Sequence, residues 1–293
     1  MPSAERILIT GRGTSGSWQI RGVQLGRAIG ATVQVDAHDV AAYDAVVVVK
    51  RIPDALLARI HAAGVPLVWD VVDAWPQPEG NHWSADLALA WMRQQLARIK
   101  PAAVVAATAH MALDLQLMTA APVLHLPHHA RPLQPRNPIR EQVQVVGYQG
   151  GEQYIREWRK TITEQCRARG WRFVVNPPEL GEVDIALALR DATGYPARAW
   201  KSNVKQANAQ ATGTPLICNR EAGYVELAIG GAEKWADTPK ELAKAFDALT
   251  PHAERVRVAR WLRAAAPSLD TIAMRYRAWL LKLCETSNQA ATC

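Results

Sequence analysis

The chain has 293 residues, 49% apolar and 21% charged, a composition that builds a hydrophobic core and excludes a disordered chain. No apolar run approaches the roughly 20 residues of a membrane-crossing helix, and residues 1–10 lack the basic-then-apolar order of a secretory signal peptide. The net charge of +7 favours polyanionic partners, and the four cysteines form no Cys-x-x-Cys pair, so neither a disulfide framework nor a metal site is expected and a reducing cytoplasm fits.

Residues 7–10 form a short apolar run that predicts a first strand; a glycine-rich turn follows, and residues 18–29 read as a helix. A second strand is expected over 32–36. Residues 45–49 read Ala-Val-Val-Val-Val, a β-branched run that suits a parallel sheet covered on both faces. A helix over 54–63 and a strand over 66–72 come next. Residues 84–99 read as a helix with Ser84 as N-cap and Asp86 in the first turn. Strands at 102–106 and 122–126 close this half. Pro127, Pro132, Pro135 and Pro138 then break all periodicity, which marks a linker over 131–142. Alternation resumes with a strand at 142–147, a helix over 152–169, strands at 171–175 and 184–189, a helix over 202–212 and a strand at 215–218. A helical run over 239–284 and a frayed tail over 285–293 end the chain. This order predicts an α/β protein of two doubly wound, Rossmann-like domains facing a central cleft. The first covers 1–130 and the second 143–266, with 267–284 a helix packing back on the first.

The charge is unevenly spread. Residues 1–130 carry ten Lys/Arg and ten Asp/Glu, whereas 131–293 carry twenty-four against seventeen. Arg156, Arg159, Lys160, Arg167, Arg169 and Arg172 crowd one segment, and Arg255, Arg257, Arg260 and Arg263 another. Such runs are either solvated helix faces or a phosphate-tracking surface. Eleven tryptophans stand against two phenylalanines, and Trp serves both core packing and base stacking.

Two motifs sit where chemistry belongs in such a fold. Gly11-Arg-Gly13-Thr14-Ser15-Gly16 is a G-x-G-x-x-G after a strand, with Asp36 twenty residues after Gly16. On paper this is a dinucleotide fingerprint and allows an NAD(P)-dependent oxidoreductase. Against it, Trp18 crowds the place where a pyrophosphate needs bare backbone, and no hydride-transfer constellation follows. The second motif is Arg198-Ala-Trp-Lys201-Ser202-Asn203-Val-Lys205, then Gly213-Thr-Pro-Leu-Ile217, then Glu221-Ala-Gly223-Tyr224-Val-Glu226. Lys201 and Ser202 are expected at a helix N-terminus, where the dipole and free N–H groups attract a diphosphate, with Arg198 forking onto its oxygens.

That second run resembles the donor-binding core of nucleotide-sugar-dependent glycosyltransferases of the GT-B fold, in which K-P-S-N-K … N-A … G-T-P-x-I … E-x-x-x-E binds the nucleotide sugar. Gly147-Tyr-Gln-Gly150-Gly151, Val68-Trp-Asp-Val-Val-Asp73-Ala-Trp75 and Leu126-Pro-His128-His-Ala-Arg-Pro are similar to further segments of such enzymes. The resemblance implies a sugar moved from a nucleoside-diphosphate sugar, of the UDP-sugar kind, to an acceptor hydroxyl, with no cofactor and no metal. It places Gly150, Arg190, Arg198, Lys201, Ser202, Asn203, Lys205, Glu221, Gly223, Tyr224 and Glu226 around the donor. Where the retaining branch carries an acidic pair, this chain has Asn208 and Trp200, which leaves inverting and retaining chemistry both open.

The base is expected to be Asp73, then His110 or His128. Asp73 ends a buried strand beside tryptophans, an apolar setting expected to raise its pKa, though a turn or N-cap role fits it as well. Gly13, Thr14, Ser15, Trp18, Arg21, Trp75, His82 and Trp83 are expected on the acceptor side. The basic charge suggests DNA as partner and a hydroxymethylated pyrimidine as acceptor, as in viral DNA glucosyltransferases, with the base flipped onto Trp18, Trp75 or Trp83. The alternative acceptors are a glycan, a lipid-linked sugar or a protein.

Overall fold

The computed structural model describes residues 6–191 and 193–292, with side chains of the last helix through Thr286. In chain order, β1 (Ile7–Thr10) leads into a π-helical segment, Trp18–Gln24, that continues as α1 (Leu25–Ala28). Then come β2 (Thr32–Val33), β3 (Ala45–Val49), α2 (Asp54–Ala63), β4 (Leu67–Asp70), α3 (Ala85–Ile99), β5 (Ala103–Ala106), α4 (Ala109–Gln116) and β6 (Val123–His125). The second series is β7 (Val145–Tyr148), α5 (Arg156–Ala168), β8 (Arg172–Val175), β9 (Ile185–Ala188), α6 (Tyr195–Ala199), α7 (Val204–Thr212), β10 (Leu216–Cys218), α8 (Ala222–Val225) and β11 (Lys234–Trp235). Three helices close the chain: α9 (Pro239–Leu249), α10 (His252–Ala264) and α11 (Leu269–Thr292). The last helix therefore continues through 285–292, residues expected to fray, and Cys293 lies outside the described residues.

The chain folds as two compact units. The first comprises residues 1–128, 194–202 and 268–293; the second comprises 129–193 and 203–267. Unit 1 is built on a six-stranded parallel sheet ordered β2-β1-β3-β4-β5-β6. All five residues of β3 are buried, as expected for a central strand covered on both faces. One face packs Trp69, Trp75, Met92 and Trp200. The other packs Trp18, Leu25, Leu126 and the α11 residues Ile272, Tyr276 and Leu280. Unit 2 is a five-stranded parallel sheet ordered β11-β10-β9-β7-β8, covered by α5, α9 and α10 through Trp158, Ile162, Phe246 and Leu262.

Local chemistry sets the helix starts. Ser84, Thr108 and Thr238 cap α3, α4 and α9, each accepting from the backbone N–H three residues on. The Glu241 carboxylate in turn accepts from the backbone N–H of Asp237, the residue before that cap, at 2.8 Å. Gly213 ends α7 in the left-handed region at φ 72°.

In each sheet the strand order reverses once, between β1 and β3 in unit 1 and between β7 and β9 in unit 2. Open parallel sheets bind ligands beyond the carboxyl ends of the strands at such a point. Among the described residues no helix is long and apolar enough to cross a membrane.

Candidate functional site

Two constellations sit at these reversal points, one in each unit. In unit 2, β7 ends in Tyr148-Gln-Gly150-Gly151. Gly150 has φ 147°, a conformation side chains avoid, and its N–H donates to Asn176 Oδ1 at 2.8 Å. A Cβ at Gly150 would lie 2.8 Å from the Tyr148 hydroxyl and 3.1 Å from Lys205 Nζ. Lys205, in the first turn of α7, holds its ammonium 4.2 Å from the centre of the Tyr148 ring. Burial pushes the Tyr148 hydroxyl up to about 12, although Arg190 pulls the other way, so it stays protonated at neutral pH.

Arg190 follows β9. Its Nε donates to Glu221 Oε1 at 2.8 Å, and both side chains are 5% exposed. Its backbone is fixed from both sides: the N–H donates to Asn219 Oδ1 at 2.6 Å, and the carbonyl accepts from Trp158 Nε1 at 2.7 Å. Arg190 Nη1 and Glu221 Oε2 are buried and have no hydrogen-bond partner among the described residues. Buried charged atoms of this kind are costly unless a further group meets them. The cradle thus offers an open guanidinium nitrogen, an ammonium, a carboxylate oxygen and a glycine loop at one reversal point, a donor set matched to a diphosphate and the hydroxyls attached to it.

The remaining expected donor residues divide. Asn203, Gly223 and Tyr224 are buried in unit 2, and Glu226 is half-buried. Tyr224 is a packing residue: its backbone carbonyl accepts from Gln206 Nε2 at 3.0 Å and its ring lies in the core. Arg198, Lys201 and Ser202 belong instead to unit 1. The expectation that Lys201 stands at a helix start is corrected, because α7 begins at Val204. Lys201 Nζ binds Asp73 Oδ2 at 2.5 Å. Asn208, where an acid stands in the retaining branch, accepts from the Arg131 backbone N–H at 2.9 Å and from Gln134 Nε2 at 3.1 Å, tying the proline-rich segment to α7.

In unit 1, Lys50 follows β3 with φ 69° and Val72 follows β4 with φ 52°. Left-handed backbone is unusual at such residues, above all at a β-branched valine. The turns bring Lys50 Nζ to 2.6 Å from Asp73 Oδ1. Gln77 Nε2 donates to Asp73 Oδ2 at 3.1 Å. The expectation of a raised pKa at Asp73 is reversed. Burial does push it up, but Lys201 and Lys50 together outweigh that and hold the carboxyl well below the usual range. A carboxylate so stabilised is a weak base.

A second polar chain runs through α4 and α6. The Tyr195 hydroxyl donates to Asp114 Oδ2 at 2.7 Å, as does Trp200 Nε1 at 2.7 Å. His110 Nε2 lies 2.9 Å from the same hydroxyl oxygen. Since the one phenolic proton goes to Asp114, the hydroxyl oxygen accepts from His110 Nε2–H, which leaves Nδ1 of the neutral ring as the basic atom. His110 is exposed, whereas His128 is buried.

Three acceptor-side expectations are corrected by burial. Arg21 is wholly buried: Nε lies 3.2 Å from Asp70 Oδ2, and Nη2 donates to the Leu126 carbonyl at 2.6 Å. Trp75 is core, donating Nε1–H to Asn81 Oδ1 at 3.1 Å and packing edge-on against Trp200. Trp18 is 4% exposed, seated against Gly11 and Gly22; a Cβ at Gly22 would lie 2.5 Å from its ring. Neither Trp18 nor Trp75 presents a face for a base. Gly13 is half-buried with φ 86°, Thr14, Ser15 and His82 are exposed, and Trp83 is half-buried against Trp91.

Sequence reasoning missed Tyr148, Asn219, Lys50, Asp114 and Tyr195. Tyr148 lies inside a segment already singled out, and Lys50 directly follows the valine strand; Asp114 and Tyr195 carry no local signal. Among the described residues no group of three His, Cys, Asp or Glu side chains stands ready for a metal.

The arrangement matches known folds at low identity. HepE of Anabaena, solved with UDP and glucose, superposes at TM-score 0.68 with 12% identity, over 94% of this chain and 99% of its own. Its UDP-glucose complex gives 0.67 with 12% identity, over 95% and 100%. AviGT4, a glycosyltransferase involved in avilamycin A biosynthesis, gives 0.56 with 11% identity, over 97% and 99%. No protein-family model and no curated protein matches the sequence. The two parallel-sheet, Rossmann-like domains are those of the GT-B fold.

Proposed function

We propose that the protein is a glycosyltransferase that takes a sugar from a UDP-sugar and passes it to a hydroxyl of a glycan or of a lipid- or protein-linked sugar. The observation that carries this reading is the Gly150–Arg190–Lys205–Glu221 cradle at the reversal point of unit 2. Arg190 Nη1 and Lys205 stabilise the negative charge that grows on the leaving diphosphate, and Glu221 takes donor hydroxyls. No cofactor is required. HepE was solved with UDP and glucose and with UDP-glucose, which supports UDP as the nucleotide.

His110 serves as the base through Nδ1, with the Asp114–Tyr195 pair fixing its tautomer. A DNA pyrimidine as acceptor loses part of its motive. Arg159 pairs with Glu152, Arg169 with Asp247 and Arg257 with Glu254, while Arg255 is buried on backbone carbonyls.

The test is release of UDP from UDP-glucose in the presence of sugar acceptors or of DNA containing 5-hydroxymethylcytosine. Turnover with a sugar acceptor and none with the DNA is the expected result. Turnover with DNA alone would revive the other acceptor, and no nucleotide release from any UDP-, GDP- or ADP-sugar would refute the reading. His110→Gln is expected to lower kcat by roughly 10²–10⁴-fold with donor KM unchanged, the size of a lost general base. An unchanged kcat would remove His110 from that role.

A further inference from the structure

Unit 1 holds a cavity of about 430 Å³, within the size range of small-molecule pockets. Arg12 comes from the loop after β1, Lys50 and Arg51 from the end of β3, Gln77 and Glu79 from the chain after β4, and Trp91 and Arg98 from α3. It therefore opens at the β1/β3 reversal point, where a ligand belongs in this kind of sheet.

Residues 1–130 have ten cations and ten acids, yet four of those cations and only one acid, Glu79, line this cavity. Two of the four are already matched: Lys50 by Asp73 at 2.6 Å and Arg98 by Asp54 at 2.5 Å. Arg51 is held by the carbonyls of Ala74 and Trp75, at 3.5 and 3.2 Å, which fix its guanidinium without neutralising it. Arg12 is exposed and forms no ion pair among the described residues. Two open guanidinium groups beside an indole wall and two amides, Gln77 and Gln95, form a mixed surface. Guanidinium suits a planar or tetrahedral oxyanion, amides suit hydroxyls, and the Trp91 face suits the C–H side of a sugar ring.

We infer that this cavity binds a sugar bearing an anionic group, a phosphate or a carboxylate, and so selects an acidic acceptor. The inference rests on the glycosyltransferase reading only for the word acceptor; the binding itself does not depend on it. Lys50 lines the cavity and also holds Asp73, so an anion drawing on Lys50 loosens its grip on that carboxylate.

The test is calorimetric titration of the full chain with glucose, glucose 6-phosphate, glucuronate and inorganic phosphate, with UDP titrated in parallel. Glucose 6-phosphate or glucuronate is expected to bind about tenfold or more tightly than glucose, as charge-assisted hydrogen bonds dictate. Whichever anion wins identifies phosphate or carboxylate as the group recognised. Arg12→Ala is expected to cut that preference several-fold. Arg12→Ala/Arg51→Ala is expected to abolish it, with the unliganded melting temperature showing that both variants fold. Equal binding of charged and neutral sugars, a preference that survives the double variant, or inorganic phosphate binding as well as the sugar phosphate would each overturn the inference. UDP bound without any preference for charged sugars sinks this inference alone. A charged-sugar preference without UDP binding sinks the donor reading and leaves the cavity assignment standing.

Discussion

Asp73 shows how much a single residue depends on neighbours that sequence alone does not reveal. The segment 68–75 is apolar, and an isolated carboxylate there would be a strong base; Lys201, 128 positions away, reverses the outcome. Because its folded pKa lies below the unfolded value, Asp73 contributes stability that is present above the ordinary carboxylate range and is lost as pH falls through and below about 4. Thermal midpoints measured against pH are expected to fall more gently on the acid side in Asp73→Asn than in the parent; parallel curves would contradict the assignment. Arg21 and Asp70 form the opposite kind of pair, buried in the core beside Tyr276. Burial raises the Asp70 carboxyl and Arg21 only partly restores it. Asp70→Asn leaves an uncompensated guanidinium inside unit 1, and urea denaturation should register a loss of about 3–5 kcal/mol. A loss under ~1 kcal/mol would mean that Arg21 reaches water.

At the scale of elements, the strands were the most legible part of the sequence. Short apolar runs and flanking turns mark β1, β3, β4, β7 and β9 because a parallel sheet buries both faces. The glycines were legible as turns but not as packing partners. Gly11 and Gly22 receive the Trp18 ring, so the G-x-G-x-x-G pattern partly answers to a core indole and not to a pyrophosphate. Gly22→Ala is expected to cost about 1–3 kcal/mol by overpacking, measured as a lower urea midpoint at unchanged slope. Gly150→Ala acts elsewhere: its Cβ would press on the Tyr148 hydroxyl and Lys205 Nζ at a backbone angle side chains avoid. The expected outcome is weaker UDP binding with a small change in melting temperature, and equal UDP affinity would separate this loop from the donor.

For the whole molecule, the alternation of strands and helices was enough to give two doubly wound domains, but not the path of the chain between them. Residues 194–202 leave unit 2 and join unit 1, where Trp200 enters the core and Lys201 meets Asp73. Hydrophobic periodicity reports which residues are buried, not which sheet buries them, so the sequence places Lys201 in the second domain whereas it folds with unit 1. The cradle that remains in unit 2 rests on Arg190 and Lys205. The central claim is tested most directly by calorimetric titration of UDP into the parent protein, Lys205→Ala and Arg190→Gln. Each variant removes a charge-assisted contact worth about 1.5–3 kcal/mol. The account predicts UDP binding by the parent, roughly 10–100-fold weaker in each variant; binding of equal strength in all three proteins would contradict it.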